Sequence, residues 1–265
     1  YNVVFSIGES PFTADEIWAG SDDGRIHITR DSGLTWTDIT PEGMPALGTV
    51  DEIELSTHNP GQAYVAVQRY RLDDFRPYIF RTDDYGGSWM LVVGGIPEDY
   101  PVRTVREDPE HEGLLFAGTE FGVFVTLNGG STWQRFQRNL PITPVTGMRI
   151  AHDDLILSTQ GRSFWILDDI SPIREIGAAV EANSYLFTPR TAVRLTNVGS
   201  ASMAEFTPDP RPTGALIHYY LAQEPDEGVR IEVVDDRGEV VHIFSSDSIT
   251  AEESSGQKID KAPGL

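Results

Sequence analysis

Short runs in which apolar and polar residues alternate fill most of the chain. VDEIELS (50–56), AYVAV (63–67) and YIFRT (78–82) follow one another closely. A period of two gives each run one apolar face, so each reads as a half-buried strand. His58, Asn59, Pro60 and Gly61 supply a turn signal between the first two, and a fourth strand begins at Trp89. The order recurs downstream, as VRTVRED (102–108) then LLFAGTE (114–120), and GMRIAH (147–152) then LILST (155–159). Helical periodicity shows only over Ile173 to Ala182. The pattern predicts an all-β fold made of repeated four-stranded antiparallel units.

A motif marks the repeat. TRDSGLTW, TDDYGGSW and TLNGGSTW all fit T-x-[DN]-x-G-x-[ST]-W, and they start at residues 29, 82 and 126. That spacing of roughly 40–50 residues is the length of one four-stranded β-propeller blade. A degenerate copy, LILSTQGRSFWILDD (155–169), keeps Gly161 and Asp168 but lacks the tryptophan that should follow. Four blade equivalents are therefore expected over 1–175. A connecting segment and linker are expected over 176–213, where Asn197 to Thr213 is rich in small residues and proline. From 214 to 265 three alternating runs, ALIHYYLA (215–222), VRIEVVDD (229–236) and EVVHIFSS (239–246), suit the start of an immunoglobulin-like β-sandwich that Leu265 leaves incomplete. The last two runs flank a hairpin turn ending at Gly238.

Each position of the motif has a structural task. The Asp carboxylate can accept turn N–H groups, the Gly can take positive φ, the Ser or Thr hydroxyl can bond within the loop, and the Trp can bury its face between strands. A catalytic or calcium-binding reading of Asp31, Asp84 and Asp168 would place its carboxylates on separate blades, whereas paired-carboxylate chemistry needs them about 5–10 Å apart.

These motifs resemble Asp boxes, or bacterial neuraminidase repeats, found in sialidases, xyloglucanase-type glycoside hydrolases and sortilin-like propellers. YVAVQRYRLDDFRPYIFRTDDYGGSW (64–89) and LILSTQGRSFWILDDISPIRE (155–175) are similar to long bacterial exported proteins of a sortilin-like or glycosyl-hydrolase-like group, in which propeller blades precede an immunoglobulin-like module. The resemblance implies a secreted or periplasmic protein. It carries no catalytic residue over: neither the arginine triad and Tyr/Glu pair of sialidases nor the two aspartates of xyloglucanases can be matched to positions here.

Composition narrows the partners. With 20 Lys and Arg against 41 Asp and Glu, the formal charge is −21, which disfavours nucleic acid and anionic membrane. No apolar run reaches the roughly 18 residues of a membrane helix, so no membrane insertion is expected. The absence of cysteine excludes disulfides and thiolate metal sites. The six histidines lack metal-site spacing, and acidic pairs such as Asp22 with Asp23 lack that of a calcium loop. No metal, cofactor or catalytic residue is assigned. The chain reads as a segment of a longer protein whose other blades and domains would be its neighbours.

One stretch exceeds the blade template. Between second and third strands the first unit has only SDDG (21–24) and the third only TEFG (119–122), whereas the second has QRYRLDDFRPY (68–78), a mixture of arginine, acid and aromatic residues suited to recognition. Arg69, Arg71, Asp73, Asp74, Arg76 and Tyr78 are its candidate ligand-binding residues. Strand direction in an antiparallel blade places this insertion, and crossings such as GIPEDYP (95–101), on the face opposite the motifs. The sequence thus points to a binding scaffold for a glycan, peptide or protein. The alternative is part of a glycoside hydrolase whose carboxylates lie mostly outside these residues.

Overall fold

The computed structural model describes residues 2–192 and 214–246. It divides into two compact units, Tyr1–Asp168 and Asp169–Leu265.

The first unit is a succession of antiparallel sheets whose strands pair in sequence order. The first blade comprises β1 (Val4–Glu9), β2 (Ile17–Ser21), β3 (Ile26–Thr29) and β4 (Thr37–Asp38). The second comprises β5 (Thr49–Leu55), β6 (Ala63–Arg69), β7 (Asp74–Thr82) and β8 (Met90–Leu91). The third comprises β9 (Val102–Glu107), β10 (Leu115–Thr119), β11 (Gly122–Thr126) and β12 (Gln134–Arg135). The fourth has three strands, β13 (Val145–Ala151), β14 (Asp154–Thr159) and β15 (Phe164–Leu167). The fold is all-β and propeller-like.

The core lies between sheets rather than within one. Alternation turns one face of each blade towards the next, so Ile26 and Ile28 of the first pack with Val65 and Phe80 of the second. Ile79 of the second packs with Leu115, Ala117 and Phe124 of the third. In the fourth blade the matching position is Phe164, which is 75% exposed.

Strand pairing fixes the correspondence between blades. Ile17 faces Thr29, Ala63 faces Thr82, Leu115 faces Thr126 and Leu155 faces Leu167. Counting two residues on from each third-strand end gives Asp31, Asp84, Asn128 and Asp169. The degenerate copy's acidic position is therefore Asp169, not the Asp168 expected from sequence. Its carboxylate accepts the N–H and hydroxyl of Ser171, at 3.2 and 2.6 Å, at the start of a helix instead of closing a hairpin.

In the second unit, α1 (Ser171–Glu181) covers the single stretch of helical periodicity, with Pro172 in its first turn. Two antiparallel pairs follow: β16 (Ser184–Leu186) with β17 (Tyr219–Leu221), and β18 (Arg230–Val234) with β19 (Val240–Ser245). The second pair is the anticipated hairpin. Gly238 has φ 81°, and the Asp235 carboxylate accepts the N–H groups of Arg237 and Glu239, both at 2.9 Å. The run 215–222 forms a strand only at Tyr219–Leu221, because its partner β16 is three residues long. The expected linker Asn197 to Thr213 lies outside the described residues.

Candidate ligand-binding face

β7 separates two different loops. At its Thr82 end the repeated motif folds into a turn held by its own side chains. The Asp84 carboxylate accepts the Thr82 hydroxyl at 2.8 Å, the Ser88 N–H at 2.8 Å and the Ser88 hydroxyl at 2.7 Å. Asp31 makes the corresponding bonds to Thr29 and Thr35. Bonds from Thr35 to Asp31, and from Ser88 to Asp84, hold both carboxyls below their ordinary range. The threonine hydroxyl also accepts the glycine N–H, at 2.9 Å in Thr29–Gly33 and Thr82–Gly86. Gly33 and Gly86 have φ of 90° and 83°, as expected; Ser32 and Tyr85 before them are left-handed as well. The motif is a self-contained turn.

Its tryptophans divide into two kinds. Trp133 is 3% exposed and Trp89 is half-buried, both against the preceding blade, but Trp36 is 45% exposed. The expectation that all three are core residues is corrected at Trp36, which has no earlier blade beside it among the described residues.

The insertion lies at the Asp74 end of β7, opposite the motif. Tyr70–Leu72 forms one turn of 3-10 helix, and Asp73 closes it in the left-handed region with φ 61°. Asp74 is the hub. Its carboxylate accepts Arg76 Nε and Nη2 at 2.9 and 3.0 Å and the Tyr78 hydroxyl at 2.8 Å, and it pairs with Arg69. Those bonds, Arg76's foremost, hold its carboxyl far below the ordinary range.

The six candidate residues therefore play different parts. Arg69 and Tyr78 turn inward to Asp74, and Tyr78 is 5% exposed, so both shape the loop from beneath. Arg71 stays outside, its guanidinium 5.8 Å from the Tyr70 ring centre. Asp73, Asp74 and Arg76 line an open hollow of about 580 Å³ together with Phe75, Glu98 and Asp99. Glu98 and Asp99 come from the crossing between the second and third blades, a segment the sequence placed on this face without naming its residues as candidates. With Asp74 neutralised by two arginines, Asp73, Glu98 and Asp99 leave the hollow acidic. Phe75, 48% exposed, adds an apolar surface.

Beside the insertion lies a buried ionic network that sequence reasoning missed. Arg103 bonds Asp51 at 2.6 Å and Glu120 at 2.7 Å, and its guanidinium lies 5.5 Å from the Tyr70 ring centre. Arg106 bonds Glu52, Glu54 and the Met148 carbonyl, tying three successive blades together. Burial pushes Asp51 up to about 6 and Glu54 up to about 8, against the arginines that oppose it. The available signal was the alternation itself, which sets acids of VDEIELS (50–56) beside arginines of VRTVRED (102–108) on adjacent inner strands. These shifted carboxylates are buried, so they act as structural groups and do not meet a substrate from solution. Among the described residues no three His, Cys, Asp or Glu side chains cluster as a metal site.

No family model and no curated protein matches the chain. Solved structures match its fold. Ycf48 from Cyanidioschyzon merolae is 20% identical with a TM-score of 0.49, over 63% of this chain and 53% of that one. The GH74 xyloglucanase from Xanthomonas campestris is 13% identical with a TM-score of 0.48, over 63% of this chain and 29% of that one. An ancestral GH74 enzyme is 16% identical with a TM-score of 0.49, over 96% of this chain and 34% of that one. The chain thus spans between about a third and a half of these proteins. At such identities the likeness concerns the fold alone. Among the described residues no helix is long and apolar enough to cross a membrane.

Proposed function

We propose that the chain is the ligand-binding part of an exported Asp-box propeller protein of the sortilin-like group, acting as a scaffold for a peptide or protein segment. The observation that carries this reading is the acidic, aromatic-edged hollow formed by Asp73–Arg76 with Glu98 and Asp99. Its charge favours a basic side chain, and exposed Phe75 offers a surface on which a guanidinium can stack. A neutral glycan would use the aromatic surface alone. The glycoside-hydrolase reading needs two accessible carboxylates placed as acid and base, and the carboxylates raised by burial here are inaccessible. Secretion to the periplasm or beyond follows from the Asp-box resemblance.

Calorimetric titration with a short arginine-containing peptide, an acidic peptide and neutral xyloglucan oligosaccharides tests the reading. We expect the basic peptide to bind. The double variant Phe75→Ala, Asp99→Ala should weaken that binding at least tenfold and leave Tm unchanged. Equal affinity for all three ligands, or turnover of an oligosaccharide, would overturn it.

A further inference from the structure

The motif tryptophans occupy equivalent seats between blades. Trp89 Nε1 donates to the Ile39 carbonyl at 2.8 Å, and Ile39 stands three residues after Trp36. Trp133 Nε1 donates to the Val92 carbonyl at 2.9 Å, and Val92 stands three residues after Trp89. The walls correspond. The first seat has Ile26, Ile39 and Met44 facing Ala63, Val65 and Phe80. The second has Ile79, Val92 and Ile96 facing Leu115, Ala117 and Phe124.

Advancing the register by one blade gives Val123, Phe136 and Leu140 facing Leu155, Leu157 and Trp165. Those six residues line a cavity of about 50 Å³ between the third and fourth blades. It is a seat without its tryptophan. Leu157 stands where the other seats have Val65 and Ala117, and Trp165 where they have Phe80 and Phe124, which explains the cavity's small size. The residues after β15 enter α1 rather than a fourth strand, so the outer edge of β15 is unpaired within its sheet. All five tryptophans of the chain, at 18, 36, 89, 133 and 165, stand elsewhere in the repeat, so the chain has none to fill the seat.

We propose that this seat binds an extended peptide strand bearing one tryptophan, which completes the fourth blade by β-augmentation. The three complete blades dictate the contacts. The indole enters between the blades and its N–H donates to the Phe136 carbonyl. The next two residues of the peptide pair with Ile166 and Trp165, as Gln134 and Arg135 pair with Val125 and Phe124. The third residue donates its N–H to the Phe164 carbonyl, as Ile39, Val92 and Phe136 donate to Ile26, Ile79 and Val123 at 2.8–2.9 Å. This site is at the motif end of the strands and is independent of the acidic hollow.

The probe is an octapeptide with the sequence of residues 129–136, GGSTWQRF, titrated into the full chain by calorimetry and followed by amide hydrogen exchange. We expect saturable binding, slowed exchange at Phe164–Leu167, and at least tenfold weaker binding of the same peptide with alanine for tryptophan. Leu140→Phe, which fills the seat, should raise Tm and abolish binding; the alanine peptide decides the matter if that variant misfolds. Equal binding of the two peptides would overturn the proposal. So would no binding at millimolar peptide, or amides of Phe164–Leu167 already protected before the peptide is added.

Discussion

The Trp89 indole reaches across the gap between the first two blades to the carbonyl of Ile39, 2.8 Å away and 50 residues earlier in the chain. The motif thus performs two tasks: its Asp, Thr and Gly close a turn within one blade, and its Trp fastens that blade to the one before. Truncation costs should follow the seats. Trp133→Ala should cost about 3–5 kcal/mol and Trp89→Ala somewhat less, because each leaves a cavity and an unmet carbonyl. Trp36→Ala should cost less than about 1 kcal/mol, since a largely exposed side chain leaves no cavity. Urea denaturation of the three variants checks the order, and equal losses would show that the seats do not govern stability.

The carboxylate of the motif is replaceable by an amide. In the third blade Asn128 Oδ1 accepts the Thr132 N–H at 2.9 Å and the Thr126 hydroxyl at 2.8 Å, while its Nδ2 donates to the Thr132 hydroxyl at 2.9 Å. Asp84→Asn should therefore keep Tm near that of the parent, and Asp84→Ala should lower it. Thermal melts at neutral pH distinguish the two. Because the Asp84 carboxyl is held below its ordinary range, its contribution should persist above the unfolded pKa and disappear as pH falls through the folded one.

Glu54 gives the opposite pH dependence. Burial raises its pKa from 4.5 to about 8, so the folded chain binds this proton more readily than the unfolded chain. Its contribution to stability is therefore greatest below pH about 4.5 and declines as pH rises towards about 8. Glu54→Gln preserves an acceptor for the Glu107 N–H, which Glu54 now meets at 3.0 Å, and removes the titration. The urea midpoint of the parent should fall more steeply with pH than that of the variant. Parallel curves would refute the assignment.

Asp74 organises the insertion. Asp74→Ala strands the Arg69 guanidinium, 18% exposed, without its carboxylate and releases Arg76 and Tyr78 together. Amide exchange over residues 70–76 should accelerate by about tenfold or more while β5 and β6 keep their protection, since local opening leaves the core intact. Unchanged exchange in the loop would show that Asp74 does not hold it.

The strands were legible because a period of two and a repeated turn motif are local signals. Which aspartate continues the motif in the fourth blade was not: Asp168 and Asp169 are adjacent, and only the pairing of Leu155 with Leu167 selects the second. The exposure of Trp36 depends on what stands beside the first blade, which a tryptophan's position in a motif does not encode. In the insertion, composition identified a recognition-type loop, but the inward direction of Arg69 and Tyr78 follows from pairing of Arg69 with Asp74 and Val67 with Tyr78. Glu98 and Asp99 join the hollow from another loop, a contact no periodicity records.

The central claim is that ligand meets the face carrying the insertion and not the face carrying the motifs. Amide hydrogen exchange of the full chain, with and without a saturating arginine-containing peptide, tests it most directly. Protection should appear over residues 70–76 and 97–100, leaving 31–36 and 84–89 unchanged. Protection confined to the motif turns, with none over the insertion, would contradict the account.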